Sequence, residues 1–221
     1  MHRRRSAAAS PPESDRPPNF ISALNQLRDE DGSFKEWGFV IYRTAGYDSD
    51  AIASDIKERI ESDIDRQFNI TWVSLTPDRL LEVQRAKEKF RLMWVEDADL
   101  NGATPEEAAR RYWELEPPFG LGHNLFLCVD ESSVKSIQQQ QSNLAHVLAV
   151  AIDCGQELTG DEADDERWTG SFKVAISSLI TELFPLIGDD SLGPYQIGVG
   201  VTPDLVWTDT GRSGRQQAGV S

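Results

Sequence analysis

Few residues in this chain are of types that carry acid–base, nucleophilic or metal chemistry. The histidines are His2, His123 and His146, and the cysteines are Cys128 and Cys154. None stands at the paired spacing of zinc ligands, so the sequence predicts no metal. Asp161, Glu162, Asp164, Asp165 and Glu166 form an acidic cluster. It lacks the central glycine and terminal glutamate of a calcium loop and reads as a solvated acidic loop. Gly120-Leu121-Gly122 precedes a strand pattern, whereas a dinucleotide fingerprint follows one, and no phosphate-loop lysine motif is present. The sequence therefore implies no cofactor.

Nucleophilic chemistry is equally sparse. There is no Gly-x-Ser-x-Gly elbow. Cys128 is flanked by Phe126, Leu127 and Val129, where a thiol is expected to be buried and protonated rather than paired with His123 or His146. One constellation remains. Arg43 and Tyr47 follow the first strand pattern and Asp130 follows a later one. If those strands run the same way, Arg43 and Asp130 meet at one edge of the sheet. Tyr47 and Trp113 would then wall a small pocket, with His123 on a neighbouring loop. The competing reading is a structural ion pair joining two loops.

The elements that must position these groups are legible as patterns. Residues 37–44 (Trp-Gly-Phe-Val-Ile-Tyr-Arg-Thr) are aromatic and β-branched, which predicts a central strand. Residues 48–68 carry Ile52, Ile56, Ile60, Ile64 and Phe68 at steps of four, an apolar stripe along one long helix. Residues 70–75 read as a short strand. Thr76-Pro77 supplies a cap and a first-turn proline for a helix over 77–89, and residues 90–95 turn extended. Thr104-Pro105-Glu106-Glu107 is a capping box, with Glu106–Arg110 and Glu107–Arg111 as four-apart ion pairs. Ala108, Ala109, Tyr112 and Trp113 make the inner face of that helix.

Residues 124–129 and 146–152 are continuous apolar runs suited to covered strands. A helix from Glu131 ends in the polar tract 138–141. Phe172, Val174 and Ile176 alternate as a strand, a short helix capped by Ser177 or Ser178 ends near Pro185, and residues 195–201 read as a last strand. A short helix is expected over 19–28. The order of elements predicts an α+β fold of ferredoxin-like type, a sandwich with a mainly antiparallel sheet and helices packed on one face. Residues 19–208 form the single domain, with an acidic loop at 155–168 and disordered tails at 1–18 and 209–221.

Three segments also carry a resemblance. These are residues 37–44 with their helix, the run from Glu96 to Glu107 (Glu-Asp-Ala-Asp-Leu-Asn-Gly-Ala-Thr-Pro-Glu-Glu), and the strand 125–130 with Glu131. Over residues 37–176 the chain resembles a large family of soluble proteins of filamentous fungi, most of which have no assigned activity. The shared motifs are structural, so the resemblance implies a fold and a host type and carries over no functional residue.

Composition bounds the partners. The 221 residues hold 37 acids against 22 bases, a formal net charge of −15. A field of that sign repels phosphate backbones and anionic lipid, which argues against nucleic-acid and membrane-surface binding. No apolar run approaches the roughly 20 residues that span a bilayer. Two cysteines without a framework predict reduced thiols and a cytoplasmic location. Residues 1–10 are basic but break at Pro11-Pro12, before an amphipathic targeting helix can form. These features together predict a non-catalytic binding or interaction module whose partner is a protein or a small molecule. The alternative is a small-molecule binder or enzyme with its pocket between sheet and helices.

Overall fold

The computed structural model describes residues 23, 25–26, 28–46, 48–70, 76–118, 120–139, 145–156, 168–188, 192–199, 201–202 and 204–208. The calls on both tails, Tyr47, the strand at 71–75 and the acidic cluster at 161–166 lie outside these residues. So does most of the helix expected over 19–28.

β1 (Trp37–Arg43) lies inside the sheet, and all seven of its residues are buried. Its side chains alternate between two cores. Trp37, Phe39 and Ile41 join one apolar cluster, and Val40 and Tyr42 join the other. α1 (Asp50–Ile70) covers the first face with the isoleucine stripe, from half-buried Ile52 through buried Ile56, Ile60, Ile64 and Phe68. α2 (Pro77–Lys89) packs Val83 and Ala86 into the same core. Thr76 occupies its N-cap position without a side-chain capping bond, and Pro77 supplies the first turn. Trp37 ties these layers together: its indole N–H donates to the Ala86 carbonyl at 2.7 Å, and its ring packs against Phe68, Phe90 and Phe184.

β2 (Phe90–Glu96) pairs parallel with β1. A short 3-10 turn (Ala98–Leu100) and α3 (Pro105–Tyr112) then cross the second face, where Ala108, Ala109 and Tyr112 are buried. The capping box is present: Thr104 Oγ1 accepts from the Glu107 amide at 3.3 Å, and Glu107 Oε2 accepts from the Thr104 amide at 2.8 Å. The ion pairs differ from the four-apart expectation. Arg111 is drawn across to Asp97 and Glu114, each at 2.9 Å, and Arg110 reaches Glu107 at 3.8 Å.

β3 (Leu125–Val129) returns parallel to β1 on its other side, and α4 (Glu131–Gln138) follows it on the first face. β4 (His146–Ala151) pairs antiparallel with β3, and β5 (Ser171–Ala175) antiparallel with β4. β6 (Val206–Trp207) pairs parallel with β5. The sheet order is β2-β1-β3-β4-β5-β6.

The architecture is thus α+β around a six-stranded mixed sheet. Two specifics of the expected fold are corrected. Three of the five strand pairings are parallel, so the sheet is not mainly antiparallel. Helices cover both faces of β1, not one. The physical reason lies in the connections: each return from β1 to β2 and from β2 to β3 passes through helix, which forces parallel neighbours and places the crossovers on opposite faces.

The C-terminal third also departs from expectation. After β5 the chain turns through a 3-10 segment (Ile176–Ser178), a π segment (Leu179–Leu183) and α5 (Phe184–Gly188). Pro185 therefore starts the last helical turns rather than ending them. Residues 195–201 are not a strand. Pro194 opens α6 (Pro194–Gly198), with the Gln196 side chain accepting from the Gly193 amide at 2.7 Å. The helix needs a glycine at Gly198, where a Cβ would lie 2.4 Å from the Trp168 ring and 2.6 Å from Phe172.

Candidate functional site

The carboxyl ends of the parallel strands β2, β1 and β3 meet at one rim. The crossover from β1 runs to β2 on one side and the crossover from β2 returns to β3 on the other, so the sheet order switches between β1 and β3 at this rim, as where open α/β sheets form ligand crevices. The last residue of β1 is Arg43, whose register partner on β2 is Glu96. Arg43 is only 7% exposed, and its Nε lies 3.2 Å from Glu96 Oε1. Glu96 Oε2 accepts a hydrogen bond from the Lys57 ammonium on α1, which also sits 5.2 Å from the Trp94 ring centroid. A cavity of about 470 Å³ opens above this trio, lined further by Asp50, Ala53 and Ser54. The adjoining loop is fixed by backbone bonds. The Thr44 amide donates to the Val129 carbonyl at 3.0 Å, and the Gly102 amide donates to the Thr44 carbonyl at 2.7 Å.

Asp130 lies at the same rim, as its strand placement implies, but its expected ion pair with Arg43 does not form. Arg43 turns to Glu96, directly opposite on β2. Asp130 caps α4, and its Oδ1 accepts from the Ser133 amide at 2.8 Å and from the Ser133 hydroxyl at 2.7 Å. A carboxylate engaged with a helix's first-turn donors satisfies groups that otherwise go without partners.

Trp113 and His123 sit at the opposite end of the sheet, so the predicted pocket does not assemble. The His123 Nε2 donates to the carbonyl of Gly38, near the start of β1, at 2.9 Å. Five strand steps separate Gly38 from Arg43, about 17 Å. Trp113 is 58% exposed rather than part of the inner face, and its Nε1 donates to the Ile152 carbonyl at 2.8 Å.

A pair that sequence reading missed lies near Asp130. The Ser132 hydroxyl and His146 Nε2 are 2.8 Å apart, and the His146 amide donates to Ser136 Oγ at 3.1 Å. The antiparallel β3–β4 register pairs Cys128 with Leu148, which carries His146 to the level of Asp130. That signal becomes readable only once the register is known. Cys128 and Cys154 are both buried free thiols. Burial pushes Cys128 far above its ordinary value, with the nearby charges of Asp130 and Cys154 adding to the effect. Burial, then Glu106 and Asp153, pushes Cys154 up to about 12.

A second feature lies along the sheet's long edge. Among the described residues β2 pairs only with β1. Five of its residues are half-buried, and Arg91 and Glu96 are exposed. Beside it, Ile64, Phe68, Phe90 and Leu92 floor a groove of about 290 Å³ flanked by Glu61 and Lys87. No cluster of metal-ligating side chains occurs among the described residues, and no helix there is long and apolar enough to cross a membrane.

Comparison of the chain with protein-family models, with curated proteins and with solved structures finds no match.

Proposed function

We propose that this chain is a non-catalytic, cytoplasmic interaction module whose binding element is the outer edge of β2. The observation that carries the reading is a seven-residue strand at the sheet margin, partly exposed along its length and bordered by an apolar groove. Such an edge presents a row of backbone donors and acceptors to an incoming extended chain. The groove offers a place for alternate side chains of that chain. Architectural roles of the reactive groups support the non-catalytic part: Asp130 caps a helix, His123 holds Gly38, and burial keeps the thiols protonated. Membership of the filamentous-fungal family that residues 37–176 resemble belongs to the same proposal.

One observation favours a second reading, a small anionic ligand at the carboxyl rim. There a nearly buried Arg43 and Lys57 share a single carboxylate beneath an open cavity. A photoreactive residue placed at Met93 in one variant and at Lys57 in another separates the two. Polypeptide adducts from Met93 and none from Lys57 support the edge. A metabolite retained in native mass spectrometry, with no adduct at Met93, replaces the interaction reading with the ligand reading.

A further inference from the structure

We infer that the groove between α1 and α4 is the docking site of this chain's own basic N-terminal segment, residues 2–9 (His-Arg-Arg-Arg-Ser-Ala-Ala-Ala). It shares no residue with the groove beside β2. Ile52, Ile56 and Ile137 floor a cavity of about 470 Å³, with Asp55, Glu58 and Ser62 along α1 and Gln138 on the α4 side. Asp55, Glu58 and Ser62 stand three and four residues apart, so they form one stripe of the helix. The cavity is thus an apolar trough with an acidic wall.

Uncompensated charge names the occupant. The three bases of α1 are committed: Lys57 to Glu96, and Arg59 and Arg66 to Asp63. On α4, Lys135 pairs with Glu131. Asp55 and Glu58 are exposed and form no ion pair with any described residue. The acids of the α3 surface do not compete, because Asp97, Glu107 and Glu114 are each paired with Arg110 or Arg111. In a chain of net charge −15, Arg3, Arg4 and Arg5 are the only three consecutive bases, and no acid precedes Glu13. The other terminus offers only Arg212 and Arg215, separated by Ser213 and Gly214. Arginine suits the trough twice over: its guanidinium binds a carboxylate, and its apolar stem covers the isoleucine floor. Reach is ample. Ala23, the first described residue, is buried in the core cluster that the α1 stripe joins. The chain from Arg5 to Ala23 extends to about 60 Å, whereas α1 is roughly 32 Å long. Exposed ion pairs are individually weak. Tethering offsets this, because it holds the segment at an effective concentration of about a millimolar.

A photoreactive residue placed at Ala8 of the full chain tests the inference. Its adducts, mapped by mass spectrometry on dilute protein, are expected on residues 52–62 and 137–138 of the same chain. Reversing the segment (Arg3→Glu, Arg4→Glu and Arg5→Glu together) is expected to cut their yield roughly fivefold, the worth of a few exposed ion pairs. Asp55→Lys with Glu58→Lys should do the same, and combining the two sets should restore the yield. Raising salt from about 0.05 to about 0.5 M should also lower it, since screening weakens exposed pairs. Adducts elsewhere on the chain overturn the inference, as does a yield indifferent to the reversals and to salt. So do adducts that join two chains in a mixture of heavy- and light-isotope protein, which assign the groove to a second copy, and adducts on a foreign protein alone. If the Asp55 and Glu58 variant loses its native circular dichroism, the segment reversal decides the matter by itself.

Discussion

Replacing Tyr42 by Phe is expected to make this protein more stable. Tyr42 is fully buried in the second core, and its hydroxyl has no hydrogen-bond partner among the described residues. Burial raises its pKa, and the neighbouring Cys128 and Tyr112 add to that, so the phenol stays neutral. The ring itself is well placed, edge-to-face on Phe126 at 5.3 Å between centroids, and Phe would keep that contact. A buried hydroxyl without a partner forfeits its hydration at a cost of about 1–3 kcal/mol. Removing the oxygen leaves a void of roughly 15 Å³, worth about 0.4 kcal/mol against the variant. The net expectation is a gain of about 0.6–2.6 kcal/mol, which raises Tm by roughly 1–10 °C in a domain of this size. Urea unfolding followed by tryptophan fluorescence measures it, with m unchanged. Tyr112→Phe is the internal control, since that hydroxyl donates to the His123 carbonyl at 3.3 Å. It should lose about 0.5–1.5 kcal/mol. A destabilised Tyr42→Phe variant would refute the assignment of an unpartnered hydroxyl.

Four further outcomes follow from the geometry. Thr104→Ala, which breaks the capping box of α3, should cost about 1 kcal/mol, read by the same unfolding curves. Asp130→Ala should cost about 1–2 kcal/mol and leave Arg43 in place with Glu96, so circular dichroism shows the native fold retained. Gly38→Ala should cost about 2–4 kcal/mol or prevent folding, because a Cβ there would sit 1.9 Å from the Arg91 carbonyl oxygen at φ +141°. The thiols give a pH dependence. Cys154 ionises near its ordinary 9.0 when unfolded and near 12 when folded, so its contribution is intact below pH 9 and is lost as pH rises from there toward 12. Denaturation midpoints measured at pH 8, 9 and 10 should fall, and a Cys154→Ala variant should fall less steeply.

How much was legible from sequence depended on how local each signal is. The stripe from Ile52 to Phe68 and the capping box at Thr104 are written in residues three and four apart, and both form as expected. The density of aromatic and β-branched residues in β1 identified a strand buried on all sides, and the run 125–129 identified another. The signals that failed were those with two readings. Pro185 reads as a helix end and residues 195–201 read as a strand, although Pro185 and Pro194 both sit where a first turn tolerates a missing amide. Trp113 has the helical spacing of an inner residue, but α3 ends one residue before it and turns it to solvent.

The site depended almost wholly on tertiary structure. Sequence alone determined that Arg43 and Asp130 close two strands, because strand ends follow from local pattern. It did not determine that β2 rather than β3 supplies the partner of Arg43, since the choice between Asp130 and Glu96 is made by strand order and register. Nor did it determine that His123 and Trp113 lie at the far end of the sheet, which the direction of each crossover decides. Strand identity resides in neighbouring residues. Strand order, direction and edges arise from contacts between segments far apart in the chain, and those contacts place both the rim at Arg43 and the exposed margin of β2.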